Sequence, residues 1–590
     1  MSACLRRIIV NRIARSLRRN GEKNVADIEK LEVDMLHLLK VNPVSKNTKS
    51  DLPQFLLPRS RLKEIGLVLD KDAIDFKDDV IENCYVDKSN KLQININNKF
   101  FIQKVLSTIQ RLGKRYGYDV QQLPKKHIVV EYSSPNIAKP FHVGHLHSTI
   151  LGNFISNLYE ALGHKVTRLN YLGDWGTQLS LLILGYKRYG DDVQLNKDPL
   201  QHLFEVYVKI HEDVDKEKDS TKHTGRGSYH EGLEIFHRLE SGDEEITRLW
   251  KKFSEISLEE YDKMYKRLNI RFDELHTESM YNQSTQQLIQ SLKQSGCIQT
   301  RKDGVGYIDI SNDKDSVQAV MNKSDGSTLY LSRDVVAALD RFKRFKFDKI
   351  HYVVGNDQYL HFKTLLEVLK KIQQTTWNSV ELSEFLIKFG RVEGISTRKG
   401  NVVFLRDILD EARDRVMQSL KNNEFTKIRS DYEDVADKLG ISSIIIQYLR
   451  SRRTSHSTFN WEKMLHFKAD SGLFLQYCHA RLYSIEKEVD IRIKETIDIS
   501  CLSEDSAKIL VQHLARYPDV VNESFDVFEP YVIVQYLFKL GHLANLAYKH
   551  LPVKNQPTEL AEARLVLFNS ARQTLANGLR VLGIEPLNQM

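Results

Sequence analysis

The feature that most restricts the fold of this chain is a handover at residues 127–162. Ile128-Val129-Val130 is a short β-branched run that ends in Ser133-Ser134-Pro135-Asn136, and a helical pattern follows from Gly144 to Leu162. β-branched residues favour a strand, the Ser-Ser-Pro-Asn cluster interrupts regular structure, and helical spacing resumes only beyond it. Strand, loop and helix in that order open a parallel αβ unit. A second unit follows at once, with Lys165–Leu169 as strand and Asn170–Gly176 as a turn-rich exit. Leu329–Leu331 and Lys349–Val354 read as further strands, with a helix over Asp334–Lys343 between them and another over Tyr359–Ile372. Sheets of this kind bind ligands beyond the carboxyl ends of their strands, and the unusual polar residues lie there.

The flanks differ in character. Before the first unit, a helical stretch near Val25–Leu39, a polar linker through Val44–Asp51, alternating Leu92, Ile94 and Ile96, and a helix over Phe100–Tyr116 predict a small α+β domain spanning 1–126. The α/β domain is expected to span 127–400, Rossmann-like, with insertions at about 179–248 and 277–327. The first insertion contains the charged stretch His211–Arg226, read as a loop. Past about Asn401 strand signals fade. Amphipathic helices such as Gly472–Glu486 and Tyr531–Lys549 predict an all-α bundle over 401–590.

The 590 residues are 41% hydrophobic and 28% charged, with no apolar run near the ~18–20 residues of a membrane span; Ser180–Gly185 and Ile441–Leu449 are the richest stretches. No membrane partner is expected. Cys4, Cys84, Cys297, Cys478 and Cys501 are scattered with no C-x-x-C pair, so neither a protein-bound zinc nor a disulfide framework is expected. The net charge of +8 invites a nucleic-acid reading. Six of those charges, however, are Arg6, Arg7, Arg12, Arg15, Arg18 and Arg19, in a first twenty residues without an acid. Any RNA surface on the folded body must be a local patch. The same stretch is amphipathic, with Leu5, Ile8, Ile9, Ile13 and Leu17 at helical spacing, as in a mitochondrial import segment; the other reading is a first helix of the N-terminal domain.

At the strand-to-helix handover stands His142-Val143-Gly144-His145. Gly144 lets a flat base approach the backbone, the helix N-terminus offers free N–H groups to phosphate, and two imidazoles three residues apart can face one ligand, an arrangement suited to ATP. The tetrapeptide alone is weak, but the run from Val130 to Leu146 closely resembles the signature of arginyl-tRNA synthetases, a class I aminoacyl-tRNA synthetase family. Asn170–Gly176, Ser324–Asp334, Ile395–Gly400 and the C-terminal Asn577–Leu579 with Leu582–Ile584 continue the likeness in order.

The resemblance implies an arginine–tRNA ligase that forms arginyl-adenylate from L-arginine and ATP with Mg²⁺, then transfers the arginyl group to tRNA(Arg), to the 2′-hydroxyl first. It implies that Glu131, Ser134, Asn136, Tyr330, Asp334 and Gln358 line the arginine pocket, Asp334 gripping the guanidinium, Tyr330 closing one side, and Glu131 with Asn136 near the α-amino end. A guanidinium needs carboxylates or carbonyls in its plane, which that set can supply. His142 and His145 would donate to the phosphates, with Lys139 in reach. Ser396, Arg398 and Lys399 would form the second ATP loop, where Ile395-Ser396-Thr397-Arg398-Lys399 replaces the usual K-M-S-K-S and leaves open which cation meets pyrophosphate. His147 stands where the family usually has arginine. In the helical bundle Tyr477, Tyr548 and Met590 resemble residues near the anticodon, although each also suits an ordinary core; Arg450, Arg452 and Arg453 form either a phosphate patch or a helix end. The expected setting is a monomer in the mitochondrial matrix, with a cytoplasmic form, a non-catalytic tRNA-binding paralogue and a class I enzyme for another amino acid as the other readings.

Overall fold

The computed structural model describes residues 8–12, 39–41, 54–58, 78–86, 91–118, 124–137, 141, 143–217, 227–311, 316–393, 404–421, 432–465, 470–489, 499 and 501–590. Its centre is a five-stranded parallel sheet in the order Leu386–Phe389, Lys349–Gly355, His127–Glu131, Lys165–Leu172, Glu274–Thr277. Numbered along the chain these strands run 5-4-1-2-3, so strand order reverses between His127–Glu131 and Lys349–Gly355. The loops leaving those two neighbours part toward opposite faces and open a crevice between them. Ile128 and Val130 enter one core and Val129 another, all fully inaccessible. Burial on both faces is why this strand reads as an unbroken β-branched run, without alternation.

The Val143–Ala161 and Tyr359–Ile372 helices stand where the sequence places them. Leu329–Leu331 does not form a strand. Tyr330 begins a helix that runs to Phe345, since the Ser332 hydroxyl accepts from the Leu329 N–H at 2.9 Å and Leu331, Val335, Ala338 and Leu339 continue one apolar stripe. His211–Glu217 is likewise no loop but the end of the Pro199–Glu217 helix, whose buried stripe Leu203, Val206, Ile210, Val214 carries helical spacing through it. The stretch 277–327 holds the Asn282–Gln294 helix and a three-stranded antiparallel sheet of Gln318–Asn322, Gly306–Asp309 and Gln299–Thr300.

The N-terminal region is a four-stranded antiparallel sheet covered by the Asn98–Leu112 helix, with Leu92, Ile94 and Ile96 all buried. The predicted helix near Val25 and the linker Val44–Asp51 lie outside the described residues. The C-terminal region is helical, from Leu405–Lys421 and Tyr432–Leu449 through Gly472–Glu488 to Thr558–Val581. Tyr116 donates to the Leu514 carbonyl at 2.7 Å and the Asn577 amide donates to the Gly113 and Tyr116 carbonyls at 3.0 Å, so the first region packs directly on the last. Among the described residues no helix is long and apolar enough to cross a membrane.

Candidate active site

The crevice begins with a strained turn. Ser133 and Ser134 follow the first strand with φ of 72° and 45°, a region that costs a non-glycine residue about 1–3 kcal/mol. Two side chains hold them there: the Ser133 N–H donates to Ser148 Oγ at 3.0 Å, and the Ser134 N–H donates to Asn170 Oδ1 at 3.0 Å. Ser148 in turn donates to the Val353 carbonyl at 2.7 Å, tying this turn, the Val143–Ala161 helix and the fourth strand into one unit.

Below the turn lies Glu131, only 4% exposed. Its carboxylate is bound by Arg341, whose guanidinium also donates to Tyr352 Oη at 3.2 Å and lies 4.7 Å from the Tyr171 ring centre. Burial still pushes the Glu131 carboxyl above its ordinary range despite the Arg341 charge. Glu131 therefore lies deep beneath the turn, and Ser134 Oγ stands 3.4 Å from its Oε1.

The far wall is the first turns of the Tyr330–Phe345 helix. Tyr330 is 53% exposed, with the Arg333 guanidinium 4.9 Å from its ring centre. Asp334 accepts from His361 Nε2 at 2.6 Å, a contact that joins this helix to the one that starts at Tyr359. Sequence reasoning passed over His361, and it also passed over Glu278. Burial raises the Glu278 carboxyl to about 8; Arg333, 3.2 Å away, pulls against this, while Asp334 and Asp174 add to it. Asp174 holds the segment in place, accepting from the Ser279 N–H at 2.9 Å and the Ser279 hydroxyl at 2.6 Å.

The run Asn170–Gly176 touches almost every one of these groups. Asn170 holds Ser134 and Tyr171 supports Arg341. Gly173 bridges to Asn136, whose amide also donates to Gln178 Oε1 at 3.4 Å. Gly176 has φ of 124°, and a Cβ there would sit 3.6 Å from the Tyr330 hydroxyl. Glu131, Ser134, Asn136, Tyr330 and Asp334 are thus gathered around one crevice. Gln358 ends the short 3₁₀ turn after the fourth strand at the crevice edge; it is exposed and donates to Asp357 at 3.2 Å.

On the other side of the turn, Gly144 is exposed in the first turn of the Val143–Ala161 helix, and half-buried His145 packs its ring 5.5 Å from that of Phe141. Lys139, His142, Ser396, Arg398 and Lys399 lie outside the described residues. His147 faces away from His145 into the interior, against Phe389 and Tyr448.

Residues 106–461 match the family described as tRNA synthetases class I (R), catalytic domain, and residues 475–590 match the DALR anticodon binding domain. The chain is 42% identical over 507 residues to the cytoplasmic arginine–tRNA ligase of Saccharomyces cerevisiae, covering 85% of this chain and 82% of that one. It is 40% identical over 581 residues to the mitochondrial enzyme of the same yeast, covering 97% and 89%. The chain is a class I arginyl-tRNA synthetase. The arginyl-tRNA synthetase of Thermus thermophilus shares the fold, with a TM-score of 0.76 at 21% identity over 99% of this chain and 100% of that one.

In the helical domain of this synthetase, Tyr477 and Tyr548 are 41% and 40% exposed and flank Arg481, whose guanidinium lies 5.6 Å and 4.5 Å from the two ring centres. Met590 packs against the cluster that contains Leu473, one helical turn from Tyr477. The arginine cluster is divided. Arg453 donates to the Lys388 carbonyl at 2.6 Å and lies 3.7 Å from Glu529, so it binds the sheet to the bundle and presents no phosphate patch. Arg450 donates to the Asp470 carbonyl at 3.3 Å.

Proposed function

We propose that this arginine–tRNA ligase binds L-arginine in the crevice between the first and fourth strands and charges tRNA(Arg) in the mitochondrial matrix, acting as a monomer. The observation that carries the pocket is its charge inventory. Carboxyl groups outnumber guanidinia there: Glu131, Asp174, Glu278 and Asp334 face only two guanidinia of the protein itself, Arg341 and Arg333, which favours a further cation. Asp334 takes the substrate guanidinium, Tyr330 covers it, Asn136 and Ser134 meet the amino-acid end, and Gln358 borders the exit. Glu131 acts from beneath, fixing Arg341 and the floor.

Arginine's carboxylate is already a nucleophile toward the α-phosphate, so the protein's task is to align it and to stabilise the charge that develops. His142 and His145 donate to phosphate oxygens at the helix N-terminus, where the helix dipole favours anions. Lys139 with Arg398 and Lys399 neutralises departing pyrophosphate, and Ser396 belongs to the same loop. Mg²⁺ enters with ATP, held by phosphate and water. A base of the tRNA lies on Tyr477 or Tyr548, with Met590 alongside.

The matrix assignment rests on the Arg-rich, acid-free first twenty residues. Charging with labelled arginine against separate mitochondrial and cytosolic tRNA pools tests the function; preference for the cytosolic pool removes the matrix reading, and charging of neither removes the ligase reading. A reporter fused to residues 1–20 that stays cytosolic argues against import by this segment.

A further inference from the structure

The turn at Ser133 and Ser134 is held from within by a run of buried polar groups that reaches the other half of the crevice. The Asn170 side chain, whose Oδ1 accepts from the Ser134 N–H, has its Nδ2 3.1 Å from Tyr265 Oη. Tyr265 Oη lies 2.8 Å from Ser133 Oγ, and Ser133 Oγ lies 2.8 Å from Thr149 Oγ1. Thr149 Oγ1 ends the run, 2.6 Å from the His145 carbonyl oxygen. All four of these side chains belong to buried residues.

The two ends of the run fix which way its hydrogens point. A backbone N–H only donates, so Asn170 turns its oxygen to Ser134 and its NH₂ group to Tyr265. A carbonyl only accepts, so the single hydrogen of Thr149 goes to His145. The two hydroxyls between them have one hydrogen each. Tyr265 therefore donates to Ser133 and Ser133 donates to Thr149, and no other arrangement fills every contact. The run has one ordered state, and it joins the backbone of Ser134, on the proposed arginine side, to the backbone of His145, on the proposed ATP side.

Tyr265 is the member that comes from outside the crevice, in the last turn of the Glu244–Arg267 helix. That helix is fastened on two sides. Tyr261 donates to the Asn136 carbonyl at 3.2 Å, while Arg267 binds Asp437 at 2.6 Å and Asp410 at 2.8 Å, on two helices of the C-terminal region. The Tyr265 hydroxyl is thus a fixed point between the two substrate halves.

We infer that Tyr265 is a positioning residue for arginine activation: its hydroxyl sets the distance between the Ser134 turn and the first turn of the signature helix, and so the alignment of arginine's carboxylate with the α-phosphate. The inference rests on the proposed arginine pocket, with His145 toward ATP.

Tyr265→Phe removes the hydroxyl and keeps the ring that packs on Phe141 and Phe272. A neutral hydrogen bond contributes about threefold to tenfold in an equilibrium constant. Lost alignment shows in the rate at saturation: Tyr265→Phe should slow single-turnover aminoacylation by about that factor, per folded enzyme as judged by urea unfolding. The concentrations of arginine and ATP that half-saturate the rate should each stay within about twofold of the parent. Thr149→Val breaks the run at its other end and should do the same, whereas Thr149→Ser keeps the hydroxyl and should keep the parent rate. Once one link is gone the two ends are uncoupled, so Tyr265→Phe/Thr149→Val should be no slower than the slower single variant; independent losses would multiply to about tenfold to a hundredfold. A parent-like rate in Tyr265→Phe, multiplied losses in the double variant, or half-saturation shifting as much as the rate would overturn the inference. Asp334→Asn is the control. If it leaves the KM for arginine untouched, the pocket reading fails; if it raises that KM while Tyr265→Phe reacts like the parent, only the positioning role fails.

Discussion

Asp334→Asn removes one charge from the proposed pocket and almost no volume, and His361 determines how large the effect should be. Asp334, as an ionised carboxylate, only accepts, so the 2.6 Å contact requires His361 Nε2 to carry the hydrogen. In the variant that N–H still needs an acceptor, so the amide oxygen turns toward His361 and the NH₂ group toward the substrate guanidinium. Two donors then face each other. A charge-assisted hydrogen bond contributes about 1.5–3 kcal/mol, equivalent to about 10- to 150-fold in affinity. The forced amide orientation places Asp334→Asn in the upper half of that range, about 30- to 150-fold in the KM for arginine, with the KM for ATP unchanged. Steady-state aminoacylation with each substrate varied in turn measures both. Adding His361→Ala frees the amide to turn over and present its oxygen to the substrate, so the double variant should bind arginine better than Asp334→Asn alone. A KM for arginine within twofold of the parent would refute the pocket assignment, and a double variant no better than the single would refute the His361 argument.

Arg341→Met should cost about 3–5 kcal/mol of stability, because it leaves Glu131 buried without its ionic partner. Glu131 already has a raised pKa in the fold, and losing Arg341 raises it further, so the deficit should be greatest at neutral pH and shrink as pH falls toward that of the unfolded carboxyl; urea unfolding across pH, with Glu131→Gln/Arg341→Met as the rescue, checks the sign. With the Glu278 carboxyl near 8, the KM for arginine should fall about tenfold between pH 7 and 9 as that group ionises, and Glu278→Gln should flatten the profile. Tyr477→Ala and Tyr548→Ala should each raise the KM for tRNA by roughly 5- to 150-fold, the range for losing one base-stacking contact, with ATP and arginine unaffected.

What the sequence revealed and what it hid divide along physical lines. The first strand, its loop and the signature helix were legible because strand burial on both faces and helical burial on one write different periodicities. Glu274–Thr277 and Leu386–Phe389 were not legible, since strands of four residues are too short to show a period, and neither was the antiparallel sheet around Gly306. Tyr330 and Leu331 were misread as strand because the cap that starts their helix, Ser332 reaching back to the Leu329 N–H, is a local bond without a strong sequence signature. In the pocket, motif likeness pointed to Asp334 and Tyr330 but could not show that Glu131 is covered by Arg341, 210 residues away. His361 and Glu278 were missed for a related reason: each is marked only by a partner distant in sequence, Asp334 for one and Arg333 for the other.

The two internal guanidinia explain how the proposed arginine pocket stays folded while empty. Carboxylates gathered at one crevice repel one another, and burial adds to the cost of ionising Glu131 and Glu278. Arg341 offsets Glu131 and Arg333 partly offsets Glu278, whereas Asp334 is paired with His361. The excess is met by protonation of Glu278, whose pKa near 8 keeps most of it neutral at pH 7. Without substrate, then, protonation of Glu278 reduces the excess of acids over the two fixed cations. An entering guanidinium reverses the balance, because beside a third cation the ionised form of Glu278 becomes the favoured one. If arginine binds in this proposed pocket, its binding should therefore release the Glu278 proton. A neutral amino acid of similar length, lacking the charge, obtains no such coupling, so discrimination against it needs only the carboxyl groups already present.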